Sequence, residues 1–234
     1  MVLDVLGLLS ACSYALDCVE AELVHVSDKH AKRVAYMSVC MAEQLGISGE
    51  SLQDLAACAL LHDNALTQYI QEELHKDVAN VPQASQVGIH CTLGEKNIQR
   101  LPFHTDVNNV ILYHHENYDG TGYPANLAGE KIPFGARILR ICDVYCALTS
   151  DRPYRSAFTR EQAMELMTEE VKNFDLKMFL AFQRVIHSGS RKAIELSDVD
   201  ELIREIIKEK TENGIKKETG YRNERYFTER NGNP

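Results

Sequence analysis

The chain has 234 residues, 44% of them hydrophobic and 25% charged, with a formal net charge of −9. That is enough apolar material for one substantial domain with a small appendage, and the acidic balance argues against broad binding to a nucleic-acid backbone. No apolar run nears the roughly 20 residues that cross a bilayer, and the stretch Val5 to Leu9 follows Asp4 without a basic flank, so it reads as neither a membrane span nor a signal peptide.

The seven cysteines are odd in number, form no CxxC pair and mostly fall inside apolar helical patterns. They read as reduced core residues of a cytoplasmic protein. A small anionic ligand stays compatible with the net charge, because exposed charges beyond about 8 Å are screened at physiological salt.

In chain order the pattern is helical nearly throughout. Leu3 to Val26 carries apolar residues at helical spacing without proline. A second helix is expected from Asp28 to Gly46, with the glycine just past its end. A third is expected from Ser51 to His62, with Ser51 and Asp54 as a capping box and Leu52, Leu55, Ala59 and Leu60 as one stripe. Ala65 to His75 reads as a further helix. Pro82 opens one that carries His90 and ends near Leu101-Pro102. Thr105 is expected to cap a short helix ending in His114-His115. Residues 117–133 read as loop, Phe134 to Ser150 as helix, Thr159-x-x-Gln162 as a capping box, and Asp175 as the start of a helix ending before Gly189. Ser197-x-x-Asp200 starts a last helix, and a loosely ordered tail follows. No segment has strand periodicity of useful length.

The chemistry lies in an ordered set of ligand-type residues: His30, His62-Asp63, His90, His114-His115 and Asp143. Imidazole with carboxylate suits iron, manganese, zinc, nickel or cobalt, and the lack of thiolate pairs removes the strongest zinc signature. Asp63, directly after His62, can bridge two metals while the histidine binds one. His114 and His115 differ by about 100° around a helix axis, so both meet one metal only where the helix ends. The following Asn117-Tyr118-Asp119-Gly120 provides that ending. A water between two dications becomes a nucleophile near neutral pH, and the pair can clamp a phosphate, so phosphodiester hydrolysis is the natural reaction.

On these residues the chain resembles the HD-GYP domains, a branch of the HD phosphohydrolase superfamily. The resemblance covers roughly residues 15–190. It is most specific at His62-Asp63, at His114-His115-Glu116 through Asp119-Gly120-Thr121-Gly122-Tyr123-Pro124, and at Asp143-Val144-Tyr145 with Ala147 to Arg155. It implies an all-α fold, the HD-superfamily helical bundle. It divides the chain into an N-terminal helical extension (1–20), the phosphohydrolase domain (21–190) and a C-terminal helix with its tail (191–234). It implies hydrolysis of the bacterial messenger cyclic di-GMP to linear pGpG or GMP by two divalent metals, iron or manganese first, with zinc, nickel or cobalt as alternatives. One metal would take His30, His62, Asp63 and Asp143; the other Asp63 as a bridge with His90, His114 and His115. Asp63 and His62 carry the catalytic assignment. A flexible Gly122, with Tyr123, would line the ligand pocket, and Arg152 and Arg155 would offer a basic group to phosphate or guanine. A cyclic dinucleotide is the implied ligand, with no DNA, RNA or membrane, and a second copy of the chain or a signalling protein is the expected protein partner. The helix before Ala21 is the expected dimer contact.

The chain departs from the family pattern in three places. Where His-Asp-x-Gly-Lys is usual it has His62-Asp63-Asn64-Ala65-Leu66, so Leu66 replaces a lysine. Cys146 replaces the second aspartate of an Asp-x-x-Asp pair. Val26 replaces a glutamate used by trinuclear members, which points to two metals. Losing one pre-organised donor costs about 10²–10³ in rate. Slow turnover is therefore one reading, and a catalytically degenerate receptor of a cyclic dinucleotide is the other. A third, a di-iron oxygenase, is disfavoured by the Gly-Tyr-Pro loop and the two arginines.

Overall fold

The computed structural model describes residues 5–24, 29–66, 68, 88–152 and 154–188. Among these are seven α-helices and no strand: α1 (Val5–Val24), α2 (His30–Gln44), α3 (Gly49–Leu60), α4 (Ile89–Ile98), α5 (Phe134–Leu148), α6 (Arg160–Glu169) and α7 (Leu176–His187). The expected all-α bundle is what folds. The helix starts at Asp28 and Pro82, most of the segment from Ala65 to His75, and the Ser197 helix with its tail lie outside the described residues. No described helix is long and apolar enough to cross a membrane.

Helix α2 is the hub, packed on α3, α5, α7 and α1. Its Val34, Val39 and Met41 are fully buried with Leu52 and Leu55 of α3, Ile138 and Leu139 of α5, and Phe182 of α7. Helix α1 sets Leu6 and Leu9 against this core and turns Val5, Leu8 and Val19 outward.

Several ends form as the local chemistry dictates. Gly46 takes φ +80°, its N–H donates to the Glu43 carbonyl, and the Ile47 N–H donates to the Ala42 carbonyl. Both bonds close carbonyls that helix α2 leaves open, and Ile47 is buried behind them. Thr159 and Gln162 form the expected capping box of α6. Asp175 accepts the Lys177 and Met178 N–H groups at the start of α7 and also receives Arg137 Nη1 at 2.6 Å, so one carboxylate caps α7 and pins it to α5.

Two expected caps are corrected. Helix α3 starts at Gly49 after Ser48, not at Ser51, and Asp54 is no capping partner. Its buried carboxylate reaches across the fold to the backbone N–H groups of His104 and Thr105 and to the Thr105 hydroxyl. Thr105 therefore caps no helix. Residues 108–115 run as successive turns, with Asn109 at φ +64°. Glu95 of α4 holds them, its Oε1 accepting the Asn109 N–H at 2.7 Å and its Oε2 the Leu112 N–H at 3.2 Å. A carboxylate from a distant helix replaces the local cap because the turn residues pack against α4 and not along an axis of their own.

Candidate metal centre

Five segments converge on one buried spot. His30 is the first residue of α2, and the N–H of the next residue, Ala31, is accepted by Asp17 Oδ1 of α1 at 3.3 Å. His62 and Asp63 follow the end of α3, where the chain leaves the helix in turns. His90 lies in the first turn of α4, His114 and His115 close the turns held by Glu95, and Asp143 sits two-thirds of the way along α5. All seven expected ligands come together. His62 and His114 are wholly buried, and Asp63 and Asp143 keep only a narrow opening to solvent.

The donor atoms fall into two groups. His30, His62 and Asp143 offer atoms within 4.8 Å of one another, and so do His90, Cys91, His114 and His115. Asp63 lies between them. Its Oδ2 is 3.2 Å from His62 Nε2, while its Oδ1 is 3.6 Å from both His90 Nε2 and His114 Nε2. Asp143 also faces both sides, with Oδ1 3.1 Å from His30 Nε2 and Oδ2 3.9 Å from His115 Nδ1.

The ring tautomers follow from the backbone. His62 Nδ1 is 2.8 Å from the Ala59 carbonyl, and His114 Nδ1 is 2.6 Å from the Ile111 carbonyl. A carbonyl only accepts, so each Nδ1 carries the proton and each Nε2 turns a lone pair inward. His62 Nε2, His114 Nε2 and Asp63 Oδ1 are buried without a hydrogen-bond partner. Lone pairs facing carboxylate oxygens in a dry site require a cation between them. Without a metal, protons fill that role. Burial alone would depress His62, but the negative charge of Asp63 3.2 Å away, with Asp143 behind, pushes it up to about 10. Burial alone would raise Asp63 and Asp143; the imidazoles around them override it and hold both carboxyls well below the usual carboxylate range. His115 goes the other way, lowered by burial and by His114. Nitrogen and oxygen donors with backbone-fixed tautomers fit divalent transition metals.

The Gly122-Tyr123-Pro124 loop folds back over His115. The Tyr123 ring stacks on the His115 ring at 4.9 Å and 30°. The Tyr123 N–H donates to the His115 carbonyl at 3.3 Å. Glu116, buried, accepts the N–H groups of Ala125 and Leu127 and so clamps the loop's return. Gly122, expected to be flexible, is buried and held close to backbone: a Cβ there would stand 2.2 Å from the Asn117 nitrogen and 2.5 Å from Glu116 Cα. Only glycine permits this backbone-to-backbone approach.

The Arg155 guanidinium donates to the carbonyls of Ala147, Leu148, Ser150 and Ser156 and lies over the Phe158 ring. It closes the C-terminus of α5, where open carbonyls favour a cation. Arg33, one turn after His30, fastens the same end of α5 through Ser150 Oγ and, at 2.6 Å, Thr149 Oγ1. Arg152 is partly exposed, its backbone paired with that of Arg155. Cys146 is fully buried in the core, and burial pushes its thiol up to about 12, which leaves it no thiolate character at neutral pH.

Sequence reasoning missed Glu95, Glu116, Asp17, Arg33 and Cys91. The first four act on backbone or on distant helices, and no local spacing announces that. Cys91 had a faint signal in its place beside His90, but it was read with the other cysteines as core.

The HD domain family matches residues 17–178. Cyclic di-GMP phosphodiesterase PA4108 of Pseudomonas aeruginosa is 32% identical over 164 residues, covering 67% of this chain and 38% of that protein. The cyclic di-GMP phosphodiesterase response regulator RpfG of Xanthomonas campestris is 36% identical over 140 residues, 57% of this chain and 36% of its own length. 3'3'-cGAMP-specific phosphodiesterase 1 of Vibrio cholerae is 33% identical over 144 residues, 61% of this chain and 33% of its own. The chain thus spans between 33% and 38% of the length of these curated relatives. Among solved structures, a cyclic GMP-AMP specific phosphodiesterase of V. cholerae shares the fold with a TM-score of 0.63 at 19% identity, over 86% of this chain and 53% of that one. An HDG"Y"P protein of Bdellovibrio bacteriovorus, Bd1817, shares it with a TM-score of 0.50 at 21% identity, over 67% and 51% of the two chains.

Proposed function

This chain belongs to the HD domain family, and on that premise we propose that it is an HD-GYP-type, metal-dependent phosphodiesterase that opens a cyclic dinucleotide, cyclic di-GMP, to a linear product. The observation that carries the reading is Asp63, whose two oxygens face two separate groups of imidazoles. One metal is assigned to His30, His62, Asp63 and Asp143, the other to Asp63, His90, His114 and His115. When bound, two such ions supply an acidified water and neutralise charge on a phosphate. Iron or manganese is the expected pair, with zinc, nickel or cobalt as alternatives.

The protein's own residues do the rest. The Ala59 and Ile111 carbonyls lock His62 and His114 with their Nε2 atoms inward. The imidazoles keep Asp63 and Asp143 ionised. Tyr123, held over His115, offers an aromatic face beside the site, and Arg152, partly exposed, is the first candidate for a phosphate or guanine contact. The named activities of the relatives, on cyclic di-GMP and on 3'3'-cGAMP, support a cyclic dinucleotide as the ligand class. The test is to incubate manganese- or iron-loaded protein with cyclic di-GMP and, separately, with 3'3'-cGAMP, and to resolve the nucleotides by chromatography. A linear product from cyclic di-GMP is expected; no product from either at high protein concentration overturns the reading.

A specific observation favours a second reading. Leu66 and Cys146 stand where a lysine and an aspartate are expected, and Cys146 is sealed in apolar surroundings. A receptor that holds the dinucleotide without cleaving it would tolerate both. Calorimetry that gives micromolar binding with no turnover supports this reading, as does activity appearing in the double variant Leu66→Lys, Cys146→Asp.

A further inference from the structure

Five cysteines are buried, but they do not share one environment. Cys40, Cys58, Cys142 and Cys146 belong to the main apolar cluster, whereas Cys91, with 0% exposure, belongs to no apolar cluster among the described residues. It faces donor atoms instead. Its Sγ lies 3.4 Å from His90 Nε2 and within 4.8 Å of ligand atoms of both His114 and His115.

We propose that Cys91 is a thiolate ligand of the metal on the His90–His114–His115 side, so that the two halves of the centre differ in kind. This deepens the two-metal reading and rests on it. The geometry fits a shared ion. Bonds of about 2.3 Å to sulfur and about 2.0–2.1 Å to imidazole nitrogen put neighbouring ligands of one ion about 3.1 Å apart at a right angle and about 3.5 Å apart at a tetrahedral angle. The Sγ–Nε2 separation of 3.4 Å, a thiol–imidazole hydrogen bond without metal, falls within that range. His114 Nε2, buried and unpartnered, provides an independent sign that a ligand belongs there.

The thiol's surroundings run against a free thiolate. Burial first, and then the negative charges of Asp63 and Asp143, push it up, so the metal-free protein keeps Cys91 protonated. A dication reverses that balance: as the sulfur–metal bond forms, the thiol proton leaves to solvent. The other half of the centre, His30, His62 and Asp143, offers only nitrogen and oxygen. The sulfur-bearing half therefore selects a borderline-soft ion such as zinc, cobalt or iron(II) over manganese or magnesium.

The test uses the full chain, stripped of metal and titrated with cobalt(II), with metal counted by mass spectrometry and the absorption spectrum followed. Two cobalt ions per chain are expected, with a near-ultraviolet sulfur-to-cobalt band that saturates with one of them. Cys91→Ser should abolish the band and weaken binding at that half by at least about tenfold, since loss of mere outer-layer partners already costs that much. Two bound cobalt ions without the band, or a band that survives Cys91→Ser, overturns the proposal and leaves the two-metal reading standing. No bound cobalt overturns the two-metal reading itself. X-ray absorption on zinc-loaded wild-type protein needs no variant: a sulfur scatterer at about 2.3 Å is expected, and a shell of nitrogen and oxygen alone refutes Cys91 as a ligand.

Discussion

Asp63 Oδ1 and His114 Nε2 stand 3.6 Å apart, buried, while the other nitrogen of that ring donates a hydrogen bond to the Ile111 carbonyl 2.6 Å away. A carboxylate and an imidazole lone pair thus face each other across a gap that only a cation can make favourable. This pair makes metal occupancy a matter of stability as well as of chemistry.

Metal should therefore raise the melting temperature. An ion at one hundred times its dissociation constant stabilises the native state by about 2.7 kcal/mol per site, which for a chain of this size is about 5–10 °C. Scanning fluorimetry of the chelated protein before and after addition of manganese or zinc reads this directly. Identical midpoints would show that the donors hold no metal.

The charge on Asp63 should matter more than its shape. Asp63→Asn keeps the volume but removes the anion that faces both imidazole groups. Bound metal should fall below two ions per chain, and turnover of the dinucleotide should drop by at least about 10². Elemental analysis and product chromatography measure the two effects; full metal content with full activity would remove Asp63 from the proposed ligand set.

Acidity supplies a third expectation. In the metal-free protein His62 is raised to about 10 from an ordinary value near 6.5, so its protonated form favours the folded state. That contribution is fully present below pH of about 6.5 and is lost as pH rises through about 10. The metal-free protein should lose stability across this window, and metal, which competes with the same proton, should bind more tightly as pH rises. Melting curves with and without chelator across the window give both trends. A metal-free midpoint that climbs with pH would contradict the assignment.

Gly122→Ala should be costly for the fold itself. The new methyl would meet backbone atoms of Glu116 and Asn117 that cannot move aside without displacing the loop. A loss of about 1–3 kcal/mol is expected in denaturant unfolding, as for other overpacked sites. Tyr123 should also leave its place on His115, and ligand affinity should fall with it. An unchanged unfolding midpoint would mean the loop has room the geometry does not show.

How much of this was legible depended on the range of each interaction. Gly46, Thr159 with Gln162, and Asp175 signal helix ends within five residues of themselves, and each does what its position foretold. Asp54 and Thr105 carried equally plausible local roles and do something else, and Arg155 makes contacts that no local pattern announces. Asp54 reaches the backbone 50 residues on, and Arg155 spends its donors on the end of α5. A local pattern says what a side chain can bond, and packing chooses which partner is near.

The sequence by itself determined the ligand inventory, the all-helical character and the family, because histidines, aspartates and the Gly-Tyr-Pro turn are chemical identities that need no coordinates to be read. Tertiary structure decided how the ligands divide. It set His30 against Asp143 across 113 residues, turned both oxygens of Asp63 to different imidazoles, and moved Cys91 from an expected place in the core to the edge of the centre. The reason is physical: ligand type is fixed by covalent structure, whereas a shared site exists only where helices close on one another and drive out the water that would otherwise satisfy each donor separately.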